Sequence, residues 1–150
     1  MTGGPITTIN AASGMNVRVP VVLLDDLRIL LLEDEPLIAI DVEQLCTDHG
    51  ARSVTIVQDL AQIDAGEVRS LFDAAIIDLM LGGQSTLGFA QRLAEQNLPF
   101  IIASGHSARE VETLLPGIAI VEKPYSGMDL VEALAAACSR PPRVRPPASP

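Results

Sequence analysis

The chain is short of basic charge, of aromatics and of cysteine. Ten Lys and Arg face nineteen Asp and Glu, giving a net charge of −9. Three of those arginines (Arg140, Arg143, Arg145) lie in the last stretch, and the rest of the chain stands at −12. Backbone phosphates repel such a surface, so direct nucleic-acid binding is excluded as the main role. Trp is absent and aromatics make up 3%, so any core is aliphatic. The two cysteines, Cys46 and Cys138, match no metal or redox spacing and read as packing residues of a protein kept in a reducing cytoplasm. No run approaches the roughly 18 to 20 apolar residues of a membrane helix. The first residues carry neither the positive n-region nor the cleavage site of a secretory signal. A cytoplasmic chain with no membrane contact is expected.

What is present is a core. Of 150 residues, 48% are apolar, with mean hydropathy +0.34. This length suits a single domain that needs no disulfide staples. Residues 1–26 begin with small, polar and Gly-rich sequence and read as a flexible leader, and Met15 is an alternative start. Residues 139–150 hold five prolines and read as an extended, disordered tail. The folded part is expected over 27–138. The apolar stretch 17–24 leaves three roles open: an added strand, a homodimer contact, or neither.

Within 27–138, apolar runs alternate with segments of mixed polarity. The runs RILLLE (28–33), ARSVTIV (51–57), DAAIID (73–78), PFIIAS (99–104) and IAIVE (118–122) suit strands buried on both faces. The segments between them, including LAQIDAGEVRSL, are expected to be helical. In the first, Leu37, Ile40, Val42 and Leu45 form the apolar stripe behind a Pro36 suited to a helix start. His49-Gly50 and Pro116-Gly117 are stop signals. Five strand–helix alternations predict an α/β, doubly wound parallel sheet with helices on both faces. Ligands of such sheets sit beyond the carboxyl ends of the strands.

Polar groups stand at those ends. Glu33-Asp34-Glu35 closes the first run, Asp78 the third, Ser104-Gly105 the fourth, and Glu122-Lys123-Pro124 the fifth. Taken singly, each is an ordinary strand-end, helix-start or loop residue; their convergence on one rim is what points to a site. Two carboxylates 4 Å apart repel by about 4 kcal/mol at an effective dielectric near 20. Glu33, Asp34 and Asp78 together therefore call for a cation, and a hard, oxygen-ligated ion such as Mg2+ fits. Lys123 adds a second positive charge and is the only lysine in the chain, against nine arginines. A carboxylate between a divalent ion and a lysine is suited to accept a phosphoryl group, with Asp78 as nucleophile. Ser104 is placed to bond a phosphoryl oxygen, and Gly105 leaves that oxygen room. An apolar run ending in Asp25-Asp26 imitates the first strand, but another apolar run follows it, whereas Asp34-Glu35-Pro36 leads into a helix. Gly82-Gly83-Gln84-Ser85-Thr86 lacks the Gly-Lys-Ser/Thr of a phosphate-binding P-loop and reads as a sharp turn.

In this order, LLLEDEP, AAIIDLMLGG, IIASGH and VEKP resemble the receiver domain of two-component response regulators over residues 27–138. The resemblance implies a flavodoxin-like five-stranded sheet of order 2-1-3-4-5 and a site in which Glu33 and Asp34 bind Mg2+. It makes Asp78 the phosphoacceptor and Met80 the donor of a backbone carbonyl to the metal. Ser104 takes the place of the switch hydroxyl, Lys123 that of the invariant lysine, and Pro124 that of a proline often preceded by a cis bond. The usual aromatic three positions before the lysine is Ile120 here. The segment 100–106 is partly similar to an alphaproteobacterial subgroup with a Phe-Ala-Thr-Gly-x-Tyr signature, Ile102 and Ser107 replacing its Phe and Tyr. His106 reads as an exposed loop residue.

The expected function is that of a stand-alone, bacterial phosphoacceptor. It would take a phosphoryl group from a histidine kinase or histidine phosphotransfer protein and present a switched surface to a downstream protein. As such it is not an enzyme. Two rivals are a receiver-like binding module that works unphosphorylated and a phosphatase of the haloacid-dehalogenase type. The phosphatase would place its nucleophile in an Asp-x-Asp motif on the first strand and its acidic pair last, the reverse of this order.

Overall fold

The computed structural model describes residues 6–10, 14, 16–20, 22–105, 109–123 and 126–139, the two segments before residue 21 by backbone alone. Strands β1 (Ile6–Asn10) and β2 (Asn16–Pro20) pair antiparallel, Ile6 opposite Pro20. Then come β3 (Arg28–Leu32), α1 (Pro36–Asp48), β4 (Ser53–Val57), the one-turn α2 (Val68–Leu71) and β5 (Ala74–Asp78). A small hairpin of β6 (Met80–Leu81) and β7 (Gln84–Ser85) leads into α3 (Leu87–Glu95) and β8 (Phe100–Ser104). The chain continues through α4 (Arg109–Leu114), β9 (Ile120–Glu122) and α5 (Gly127–Ser139).

Five strands form one parallel sheet in the order β4-β3-β5-β8-β9. Counted along that sheet's own strands, the order is 2-1-3-4-5, as the sequence resemblance implied. The period-2 alternation of a strand divides each apolar run between two layers. Leu30, Leu32, Ala75, Ile77, Phe100 and Ile102 face one layer, where Leu93 of α3 and Val111 of α4 close over them. Ile29, Leu31, Ala74, Ile76 and Ile101 face the other, against Ala39 and Val42 of α1 and Leu130 and Leu134 of α5. Every residue of β5 and β8 is buried, which is why those strands are written as unbroken apolar runs.

Three expectations change. First, Leu37 and Ile40 do not face the core: they are 77% and 57% exposed, and α1 buries Ala39, Val42 and Cys46 instead. The small Ala39 lets the helix lie close on the sheet, and the two large side chains point outward. Second, LAQIDAGEVRSL is not one helix but two 3-10 turns (Leu60–Gln62 and Ala65–Glu67) and the single turn of α2. The Asp59 and Asp64 carboxylates accept the amides of Ala61 and Gly66, two residues on, and this local bonding competes with helix propagation. Third, the folded unit begins before residue 27. Leu24 is fully buried against the α1–α5 layer, its amide donates to the His49 carbonyl, and Arg52 binds both Asp26 oxygens. The leader assigned to 1–26 therefore holds the β1–β2 hairpin and a packed segment around Leu24. The Asp25-Asp26 pair lies at the amino end of β3, remote from the carboxyl rim. The tail beyond residue 139 lies outside the described residues.

Candidate functional site

The parallel register builds the site. Leu32 stands beside Ile77 and Asp78 beside Ala103, so the residues that follow β3 and end β5 reach the same rim. Carboxylate oxygens of Glu33, Asp34 and Asp78 lie within 4.8 Å of one another. Asp78 is 7% exposed and Glu33 2%, while Asp34 is open to solvent. Lys123, just past β9, places Nζ 2.8 Å from Asp78 Oδ2 and 3.7 Å from Glu33 Oε2. The Lys123 amide donates to the Ser104 carbonyl at 2.7 Å, which fixes the root of the lysine beside the end of β8. Ser104 is itself buried.

Each carboxylate has a backbone partner. Glu33 Oε1 accepts from the Glu35 amide at 3.0 Å, Asp78 Oδ1 from the Met80 amide at 3.3 Å, and Asp34 Oδ2 from the Gly82 amide at 3.0 Å. Burial pushes the Glu33 carboxyl above the ordinary range; the Glu35 amide pulls it back, the charge of Asp78 raises it further, and Lys123 lowers it. Such a group holds a proton more readily than a solvated carboxylate does. Three oxygen donors from three carboxylates are the chemistry of a hard divalent cation.

The structure thus brings Glu33, Asp34, Asp78, Ser104 and Lys123 to one rim and sets Met80 at its mouth, 47% exposed. Ile120 is partly buried against the α3–α4 layer rather than displayed. Pro124, His106 and Ser107 lie outside the described residues.

No protein-family model and no curated protein matches the sequence. Solved structures do match. A response regulator receiver protein from Sinorhizobium medicae is 28% identical, with 75% of this chain covering 94% of that one at a TM-score of 0.66. The receiver domain of a Francisella response regulator is 22% identical, 75% of this chain covering 97% of that one, TM-score 0.63. The fold is that of a response regulator receiver domain. The response regulator PhyR from Brucella abortus, 24% identical with a TM-score of 0.62, is matched over 78% of this chain and 49% of its own length, so this chain spans about half of it.

Two groups at this rim escaped the sequence reading. The Gly82 amide reaches Asp34 because Gly82 and Gly83 take φ +57° and +81°, turning β6 into β7 with the paired positive φ of a tight hairpin. Thr86 is fully buried, and its hydroxyl donates to the Asp78 carbonyl at 2.6 Å. No local feature of the sequence marks a bond from Thr86 back to Asp78.

Proposed function

We propose that this chain is a phosphoacceptor of two-component signalling, taking a phosphoryl group on Asp78 from a histidine kinase or histidine phosphotransfer protein. The observation that carries this reading is the Asp78 carboxylate held 2.8 Å from Lys123 Nζ while two further carboxylates stand within 4.8 Å. A nucleophile so placed has one cation at hydrogen-bond distance and, with the two neighbouring carboxylates, a donor set for a second. An Asp78 oxygen attacks phosphorus, the bond from phosphorus to the donor nitrogen breaks, and the donor imidazole keeps the electron pair. Lys123 neutralises charge gathering on the transferred oxygens. Ser104 turns toward one of those oxygens, and that movement shifts a two-state equilibrium in the surface of α4, β9 and α5 read by a downstream protein. Glu33, Asp34, Asp78 and the Met80 carbonyl would hold Mg2+, which when bound supplies further charge neutralisation on the phosphoryl oxygens. The exposed Leu37 and Ile40 of α1 and Met80 at the rim offer apolar surface to the phosphodonor. No helix among the described residues is long and apolar enough to cross a membrane.

The test is incubation with Mg2+ and a small acyl phosphate, followed by intact-mass spectrometry. One added phosphoryl group is expected in the wild type and none in Asp78→Asn. An adduct that persists in Asp78→Asn refutes the assignment. Equal binding of a downstream partner by the two proteins would favour the phosphorylation-independent module. Turnover of a phosphomonoester would favour the phosphatase.

A further inference from the structure

Thr86 breaks a local rule. It is the N-cap residue of α3, a position where a Thr hydroxyl ordinarily accepts from a free amide of the first turn, yet it makes no such bond. Ser85 takes over part of that work, its Oγ accepting the Leu87 amide at 3.2 Å. The Thr86 hydroxyl is turned inward instead, 2.6 Å from the main-chain carbonyl of Asp78 and 3.1 Å from that of Leu79. Its amide closes the same loop by donating to the Leu79 carbonyl at 2.9 Å. A hydroxyl with no exposure, diverted from its helix to the backbone of a buried carboxylate residue on the rim, is the kind of inconsistency found at functional sites.

What this clasp holds is the β6–β7 hairpin. Residues 80–85 leave and re-enter between Leu79 and Thr86, and two amides of this excursion meet the acids: Met80 to Asp78 Oδ1 and Gly82 to Asp34 Oδ2. The two carboxylates are thereby spaced through one short hairpin whose base is tied at Thr86. We propose that Thr86 is a positioning residue, its hydroxyl fixing the Asp78 main chain and, through the hairpin, the separation of the Asp78 and Asp34 carboxylates. The consequence for phosphoryl acceptance rests on the reading of Asp78 given above; the consequence for the hairpin does not.

The experiment compares wild type, Thr86→Val (same shape, no hydroxyl), Thr86→Ser (hydroxyl kept) and Ile29→Val, a core change at the far end of β3. Three quantities are read: the melting temperature, hydrogen exchange of the Met80 and Gly82 amides without metal, and the rate of phosphoryl uptake from an acyl phosphate with Mg2+. Thr86→Val is expected to speed exchange at both amides and to slow uptake by ~10-fold or more, as for a misplaced reacting group. Thr86→Ser restores both, and Ile29→Val lowers the melting temperature while leaving both unchanged. Wild-type exchange at Met80 and Gly82 in Thr86→Val overturns the inference, as does equal slowing of uptake by Ile29→Val. Should Thr86→Val fail to fold, Thr86→Ala removes the hydroxyl without crowding and is read in the same way. A wild type that takes no phosphoryl group refutes the phosphoacceptor reading alone, since the exchange measurement still decides the role of Thr86.

Discussion

Replacing Glu33 with Gln should make the metal-free protein more stable. Glu33 is 2% exposed, and oxygens of Asp34 and Asp78 lie within 4.8 Å of its carboxylate. At an effective dielectric near 20, each such neighbour repels by about 3.5 kcal/mol at that separation. Lys123, 3.7 Å away, returns about 4.5 kcal/mol. Asp34 is solvated and its share is screened, so the pairwise terms come close to cancelling, and the cost of burying the charge, about 1 kcal/mol or more, decides the sign. A Gln keeps an oxygen for the Glu35 amide and removes the charge. A gain of 1 kcal/mol raises the melting temperature of a domain this size by about 2 to 4 °C, so an increase of at least about 2 °C is expected at pH 7.5 in a chelator. The pH dependence fixes the sign. Glu33 has a raised folded-state pKa, so its destabilisation is complete above that value and is relieved as pH falls toward the reference 4.5. The difference between wild type and Glu33→Gln should therefore shrink between neutral pH and 4.5. Added Mg2+ should stabilise the wild type more than the variant by mass action. Calorimetric scans with and without Mg2+ across this pH range provide the assay. A melting temperature for Glu33→Gln equal to or below wild type in chelator at pH 7.5 would refute the charge-crowding argument.

Two further outcomes are expected. Burial pushes the Cys46 thiol up to about 12 and that of Cys138 up to about 11, so neither should alkylate appreciably at pH 8 until the protein is unfolded; rapid labelling of native Cys46, detected by mass spectrometry, would contradict its burial on the core-facing side of α1. Asp73 accepts from the Arg28 amide and guanidinium, and the Arg28 side-chain bond holds its carboxyl below the usual 3.8. Asp73→Asn should lower the melting temperature at neutral pH; the deficit should begin to fade as pH falls through 3.8, where the unfolded chain takes up the proton, and vanish below the lowered folded-state value.

The strands were legible because a parallel strand buried on both faces is an uninterrupted apolar run, and RILLL, AAIID and FIIAS are such runs. The rim could be read for the same reason: a polar residue ending each run must lie at a carboxyl end, and all carboxyl ends of a parallel sheet lie on one side. The α1 stripe misled because Leu37, Ile40, Val42 and Leu45 satisfy a helical period that several faces share. Only the sheet beneath selects Ala39, Val42 and Cys46. The segment before β5 misled because Asp59 and Asp64 bond their own backbone, a competition that apolar periodicity does not register.

By itself, then, the sequence determined the parallel α/β class, the positions of the five sheet strands, and the acidic and basic residues that end them. These follow from which side chains avoid water and from breakers within a few residues. Tertiary structure alone decided that Leu24 belongs to the core, that the Gly82 amide serves Asp34, and that the Thr86 hydroxyl leaves its helix for the Asp78 carbonyl. Each of those contacts joins groups whose distance depends on strand register, crossover and loop closure. A backbone amide or a single hydroxyl carries no mark in the sequence of the partner it will meet.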